Sequence, residues 1–243
     1  YIIPNTILTQ DYYKETRRLL LKDIKLYEIG YFDSLPFADA VVETIIISYS
    51  KVKKIDSIDF VEFSKTNYKF DKSVFLSKFI SDESYRISYT LDELTESIFK
   101  KESVLNLNQL AEINQGIALK GDKTLSIKNS NDNNNYYKVL DGRNINKYSI
   151  NWVDTYLDYS LDRIHSCKTK TIFQTKEKLF FRRVSANLIF TYDDKKYFAL
   201  NTLVVVNIKE NKEEEVQLKY LLAILNSSLM QYVYKHKFKS TKN

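Results

Sequence analysis

The sequence predicts a chain in two parts: the closing half of an α/β sheet, then a mostly-β portion of mixed α+β character that ends in a helix. Three features carry this expectation. Between residues 1 and 65 a helical pattern is flanked by β-branched runs, and Ile45-Ile46-Ile47 is apolar on both faces, as in a sheet covered on both sides. From Val104 the texture changes to short apolar runs separated by polar loops. Near the end, Leu218, Leu221, Leu222, Leu225 and Leu229 form one stripe at helical spacing.

Taken in order, Tyr1-Ile2-Ile3-Pro4-Asn5 reads as the end of a buried strand entering a loop, so the natural sequence is expected to continue upstream. A helix is expected from about Gln10 to Lys22, with Tyr12, Thr16, Leu19 and Leu20 on one face and Thr9 as N-cap. Strands follow at Lys25–Gly30 and Val41–Tyr49, and Ile58–Phe63 adds a further strand or edge. Residues 66–103 read as a connection, in which Thr90-Leu91-Asp92-Glu93 fits a capping box opening a short helix to Lys101. Residues 104–243 form the second domain. Asn129 to Asn135 is a polar loop; Phe180-Phe181, Leu188-Ile189-Phe190 and Leu203 to Val206 are strands. Asp193-Asp194-Lys195-Lys196 forms a hairpin turn between Tyr192 and Tyr197, and the final helix runs from Gln217 to Tyr234.

Composition narrows the function. A 44% hydrophobic content provides a core, and no apolar run is long enough to cross a membrane, which makes the cytoplasm the default location. The single cysteine, Cys167, and two distant histidines, His165 and His236, argue against a disulfide, a zinc cluster or a hydrolytic triad. Four glycines and no G-x-G-x-x-G or Walker A sequence argue against a complete nucleotide-binding fold. The net charge of +6 and pI of about 9.0 favour a polyanionic partner.

Three passages, in this order and spacing, resemble one family. Ile2-Ile3-Pro4-Asn5-Thr6-Ile7-Leu8 is similar to the stretch after the fifth strand of N6-adenine DNA methyltransferases. Pro36-Phe37-Ala38-Asp39-Ala40-Val41-Val42-Glu43-Thr44-Ile45-Ile46-Ile47 is similar to that family's loop and last long strand. The later half resembles a TaqI-like specificity domain through Gly116-Ile117, Leu140-Asp141-Gly142-Arg143-Asn144-Ile145, Tyr148 with Trp152, Phe180-Phe181-Arg182-Arg183, and Tyr220-Leu221-Leu222-Ala223-Ile224-Leu225-Asn226-Ser227.

The resemblance implies that residues 1–65 close a Rossmann-like methyltransferase sheet and that residues 104–243 are a DNA target-recognition domain. It implies double-stranded DNA and the upstream methyltransferase half as partners, and S-adenosylmethionine as the parent enzyme's cofactor. This stretch contains neither the family's acidic, Gly-rich cofactor loop nor its Asn-Pro-Pro-Tyr tetrapeptide, nor a P-D…(E/D)-x-K nuclease arrangement. It is therefore expected to carry no catalytic residue, to bind no cofactor and to be inactive alone. The truncated sheet leaves residues 1–65 expected to fray or to associate with a second copy. A specificity subunit of a type I restriction complex, and an α/β interaction protein unrelated to DNA, are the alternatives.

The resemblance places Phe37 where the family stacks the flipped adenine; Pro36 before it and a buried strand after it suit a projecting ring, or equally a loop anchor packed on the sheet. Lys120, Lys123, Arg143, Lys147, Arg182 and Arg183 lie in or beside loops of the second domain, with Tyr148 nearby, and form the expected DNA-binding set. Arg143 follows Gly142 and tops a tight turn; Arg182 and Arg183 are adjacent in a strand and point to opposite faces, so at most one reaches DNA. Asp141, Asp158 and Asp162 show no spacing for a metal or acid–base pair. The basic end of the last helix, Lys235, His236, Lys237 and Lys239, suits either phosphate or the helix dipole.

Overall fold

The structure, a computed structural model, describes residues 1–32, 34, 36–37, 42–51, 55–64, 67–87, 97, 104–131 and 136–235. It divides into two compact units, residues 1–96 together with the chain from Val233, and residues 97–232.

The first unit begins with β1 (Ile2–Pro4) and two 3-10 turns, then α1 (Lys14–Lys22), β2 (Leu26–Phe32), β3 (Thr44–Tyr49), β4 (Ser57–Phe63), β5 (Tyr68–Phe75) and α2 (Leu76–Ile80). The strands form one sheet in the order β1-β3-β2-β4-β5. The α/β reading holds for the elements but not for the ladder. Only β2 and β4 run parallel; every other neighbour is antiparallel, because β3 returns between β1 and β2. Residues 66–103 were expected to be a connection, yet β5 and α2 belong to this unit, and Leu76, Phe79 and Ile87 join its core. The Thr90–Glu93 capping box lies outside the described residues. Leu8, Ile29, Ile45, Ile58 and Phe60 are all buried in that core.

The first helix corrects the sequence in phase. Tyr12 is 91% exposed and Leu19 is exposed too, whereas Arg17, Leu20 and Leu21 are buried. Arg17 sets this rotation. Its Nη1 donates to Ile7 O at 2.8 Å and Gln10 O at 2.6 Å, and its Nε and Nη2 donate to Ser84 O at 3.1 and 2.8 Å. A buried guanidinium needs such acceptors. Burial, aided by the Arg86 charge, lowers its pKa. Thr9 does not cap the helix. The chain enters through a 3-10 turn at Asp11–Tyr13, and Tyr13 precedes α1 without a side-chain cap.

The second unit opens with α3 (Leu107–Leu110), capped by Asn106, and β6 (Ala111–Gln115). It continues through β7 (Ala118–Leu119), β8 (Ile127–Lys128), β9 (Tyr137–Leu140), β10 (Ile145–Asn146), β11 (Ser149–Ile150), β12 (Tyr156–Leu157) and β13 (Ile164–Ser166). Then come α4 (Thr171–Gln174), β14 (Lys178–Arg182), β15 (Phe190–Asp193), β16 (Phe198–Ala199), β17 (Leu203–Ile208), α5 (Leu218–Leu225) and α6 (Ser228–Val233). One four-stranded sheet has the order β15-β14-β17-β6 and a second the order β16-β9-β12-β8; β10–β11 and β7–β13 are separate pairs. The central strands β14 and β17 of the first sheet bury alternate residues on its two faces. Phe180 and Val205 enter one core with Phe173 and Phe198, while Leu179 and Val206 meet the α5 leucines in another.

Two expectations change here. The Asp193–Lys196 turn exists, with Lys196 at φ 57°, but it is not a hairpin: β15 pairs with β14, whereas β16 leaves to pair in parallel with β9. The terminal helix is not continuous. It stops at Asn226 and restarts at Ser228, and Leu229 at the end of the leucine stripe is 46% exposed.

Lys178 and Asp193, opposite one another on β14 and β15, form an ion pair at 2.5 Å with both side chains fully buried. Lys178 also donates to Phe173 O at 2.7 Å, and Asp193 accepts from the amides of Lys195 at 2.8 Å and Tyr197 at 3.0 Å. Lys178→Met leaves a buried carboxylate uncompensated and is expected to cost about 3–5 kcal/mol, read from urea unfolding. Nearby, the Tyr192 hydroxyl donates to the Glu177 carboxylate at 2.5 Å, and this bond, with burial, pushes the Tyr192 pKa up to about 12. A raised folded-state pKa favours the neutral form, so the associated stability is intact below the unfolded value near 10 and is lost as the pH climbs towards 12. Thermal unfolding across that window should show the decline, flattened in Tyr192→Phe.

Candidate nucleic-acid interface

The end of β9 builds a rigid arginine mount. Past Leu140, Asp141 caps a 3-10 turn at Gly142–Asn144: its Oδ1 accepts from Arg143 N at 2.7 Å, and Asn144 Oδ1 accepts from Asp141 N at 2.7 Å. Short polar side chains suit this reciprocal cap. The Arg143 side chain is 92% exposed, and its Nε and Nη2 donate to Asp141 Oδ2 at 3.3 and 2.9 Å. Burial pushes the Asp141 carboxyl up, but the hydrogen bonds from Arg143 outweigh it and hold the pKa below its ordinary value. The pair orients the guanidinium plane without consuming it. Five N–H groups are available and two face the carboxylate, so Nη1 and the second Nη2 hydrogen stay free for a planar acceptor pair.

A second arginine is tied to the same place. Gly142 N donates to Thr202 Oγ1 at 2.9 Å, and Arg183 N donates to Thr202 O at 2.9 Å. Thr202 thus fastens the Arg143 turn and the segment following β14, and Arg183 is exposed there, next to Val184, which is 88% exposed. The strand ends at Arg182, so Arg183 lies just beyond it rather than within it. Arg182 turns back and donates from Nη2 to Ile145 O at 2.6 Å, bracing β10.

The remaining candidates separate. Lys147 is exposed, and its Nζ donates one hydrogen bond to Asn226 O at 2.9 Å at the end of α5, where a positive charge is favoured. Lys120 and Lys123 are exposed, but on other elements: Lys120 follows β7, and Lys123 lies in a 3-10 turn capped by Asp122. Tyr148 stands in the β10–β11 turn and is 57% exposed. Phe37 belongs to the first unit and is 46% exposed. His236, Lys237 and Lys239 lie outside the described residues. Sequence reasoning gave no role to Thr202, which carried no signal, or to Asn226, which it quoted only within a matching stretch although an asparagine followed by two serines interrupts a leucine stripe there.

Among the described residues no group of three or more His, Cys, Asp and Glu can hold a metal. Burial pushes the Cys167 thiol up, away from reactivity. No helix among the described residues is long and apolar enough to cross a membrane.

The geometry suggests one further test of the mount. Thr202→Val removes the acceptor of Gly142 N but keeps the carbonyl that holds Arg183. It is expected to cost about 1 kcal/mol and to speed hydrogen exchange at the Gly142 amide while the Arg183 amide stays protected.

Comparison with known proteins covers nearly the whole chain. Over 96% of its length the chain is 26% identical to a Methanocaldococcus jannaschii protein whose name describes a type II restriction enzyme and methyltransferase, and it spans 21% of that protein. The fold is similar to that of the type IIL restriction-modification enzyme MmeI, solved in complex with DNA, with a TM-score of 0.54 and 12% identity over 96% of this chain and 35% of MmeI. The type IIG restriction endonuclease BpuSI aligns with a TM-score of 0.42 at 13% identity, over 100% of this chain and 38% of its own. The family model of the TaqI-like C-terminal specificity domain matches residues 137–243, a span that holds Arg143, Thr202 and Arg183.

Proposed function

We propose that this chain reads a specific sequence in double-stranded DNA on behalf of an adenine-N6 DNA methyltransferase of a type II restriction-modification system. The observation that carries the reading is the pair of exposed arginines, Arg143 and Arg183, fastened to one threonine inside the specificity domain. Arg143, with its plane held by Asp141, presents the fork that reads guanine O6 and N7 in the major groove. Arg183 supplies a second base or phosphate contact, and Lys120 and Lys123 add phosphate contacts that fix register without reading sequence. The relative's name and the DNA complex of MmeI support this reading.

The first unit supports the methyltransferase side of the proposal. β1, the strand end that precedes the Pro4-to-Leu8 stretch, lies directly beside β3, the strand that resembles the family's last. Phe37, in the loop before β3, is the aromatic on which a flipped adenine stacks. S-adenosylmethionine chemistry belongs to the upstream half of the parent polypeptide. The residues present do not fit that cofactor or its catalytic tetrapeptide, since the only prolines are Pro4 and Pro36 and no Asn-Pro-Pro-Tyr exists here. Alone, the chain recognises and does not methylate.

Selection from random duplex DNA at physiological salt tests the reading. The unsubstituted chain is expected to enrich a defined motif, and Arg143→Ala to relax one position of it, losing about 1–3 kcal/mol of discrimination there. No binding even at low salt overturns DNA recognition by this chain.

A further inference from the structure

The turn between β10 and β11 is held by a closed ring of hydrogen bonds that reaches the end of α5. Asn226 is 4% exposed, and its amide pairs with the backbone of Phe190 as a neighbouring strand would. Phe190 N donates to Asn226 Oδ1 at 3.0 Å, and Asn226 Nδ2 donates to Phe190 O at 2.9 Å. The same Phe190 carbonyl accepts from Tyr148 N at 3.1 Å. Lys147 Nζ closes the ring by donating to Asn226 O at 2.9 Å.

What the ring holds is unusual. Tyr148 has φ 66°, in the left-handed region that favours glycine, and a bulky aromatic is strained there. The strain serves no packing. Tyr148 is 57% exposed, joins neither core of its unit, and makes no ring contact or side-chain hydrogen bond among the described residues. Glycine would hold the same amide bond without strain. Residues kept in such backbone states by surrounding structure concentrate at functional sites.

We propose that Tyr148 is a duplex-contacting side chain and that Asn226, which is too buried to touch DNA, is its positioning residue. The inference rests on the DNA-recognition reading and names a residue pair within it. The ring face meets a thymine methyl or a base plane, and the hydroxyl reaches a base edge or a phosphate. Lys147, adjacent in sequence and exposed as well, is tethered through Nζ to Asn226 O, which fixes the turn that presents Tyr148.

The test compares Tyr148→Gly, Asn226→Ala and the double variant of the whole chain. Thermal unfolding and affinity for the duplex enriched by the unsubstituted chain are both measured. Tyr148→Gly should raise the unfolding midpoint by about 2–4 °C, because the backbone strain is released, yet weaken binding about tenfold. Asn226→Ala should lower both. The decisive readout is the double variant. If Asn226 acts through Tyr148, the double variant binds no worse than Tyr148→Gly while its stability remains lowered by the loss of Asn226. Unchanged binding in Tyr148→Gly overturns the contact, and multiplicative losses in the double variant overturn the positioning role. Failure of the unsubstituted chain to bind any random duplex overturns the DNA reading itself and this inference with it.

Discussion

The edge of the second unit that carries Arg143 and Arg183 depends on a buried ion pair at the opposite end of the same strands. Lys178 opens β14 and Asp193 closes β15, and together they fix which residues of the two strands face each other. A pair without further partners would be a weak source of stability, since desolvating two charges is costly. Here both charges have further partners: Phe173 O accepts from the ammonium, and two turn amides donate to the carboxylate. Those amides direct the chain out of one sheet and into β16 of the other. From β16 it runs through Leu200 and Asn201 to Thr202, so the same anchor that registers the arginine-bearing strand also aims the residue fastening both arginines.

The route past Thr202 is crowded, which explains a glycine whose φ is ordinary. A Cβ on Gly116 would come within 2.2 Å of Leu200 O. Gly116 N donates to Leu203 O, and Ile117 N to Ala199 O, so β6 and the Thr202 segment approach backbone to backbone. Recognition loops built this way have little freedom to shift. This suits readout by a few oriented side chains rather than by adaptable ones, because a contact misplaced by about 1 Å loses much of its value.

Elements whose residues cooperate locally were legible in the sequence. The runs at Ile45–Ile47, Phe180–Phe181 and Leu203–Val206 are strands, the leucines of α5 pack inward, and Gly142-Arg143 tops a turn. What escaped depends on partners distant in sequence. The rotation of α1 is set by Arg17 reaching Ser84, so apolarity at Tyr12 and Leu19 misled about the buried face. The Asp193–Lys196 turn has turn chemistry, but nothing local says that the next strand pairs with β9 instead of β15. The leucine stripe continues to Leu229, although the chain is diverted at Asn226 by a bond to Phe190 that only the folded unit provides.

Charge balance alone misjudges which cations face a partner. Of the six basic side chains singled out in the second unit, Lys147 and Arg182 are committed to backbone carbonyls within it, and Arg143 is oriented by its own aspartate. A net charge of +6 therefore draws a polyanion from a distance but says little about what reads it. Screening weakens the long-range attraction as salt rises, whereas a guanidinium already held in plane loses little conformational freedom on contact. On the proposed reading, long-range attraction and sequence discrimination are separable: the first is spread over exposed lysines, the second concentrated where Asp141 and Thr202 remove freedom from an arginine.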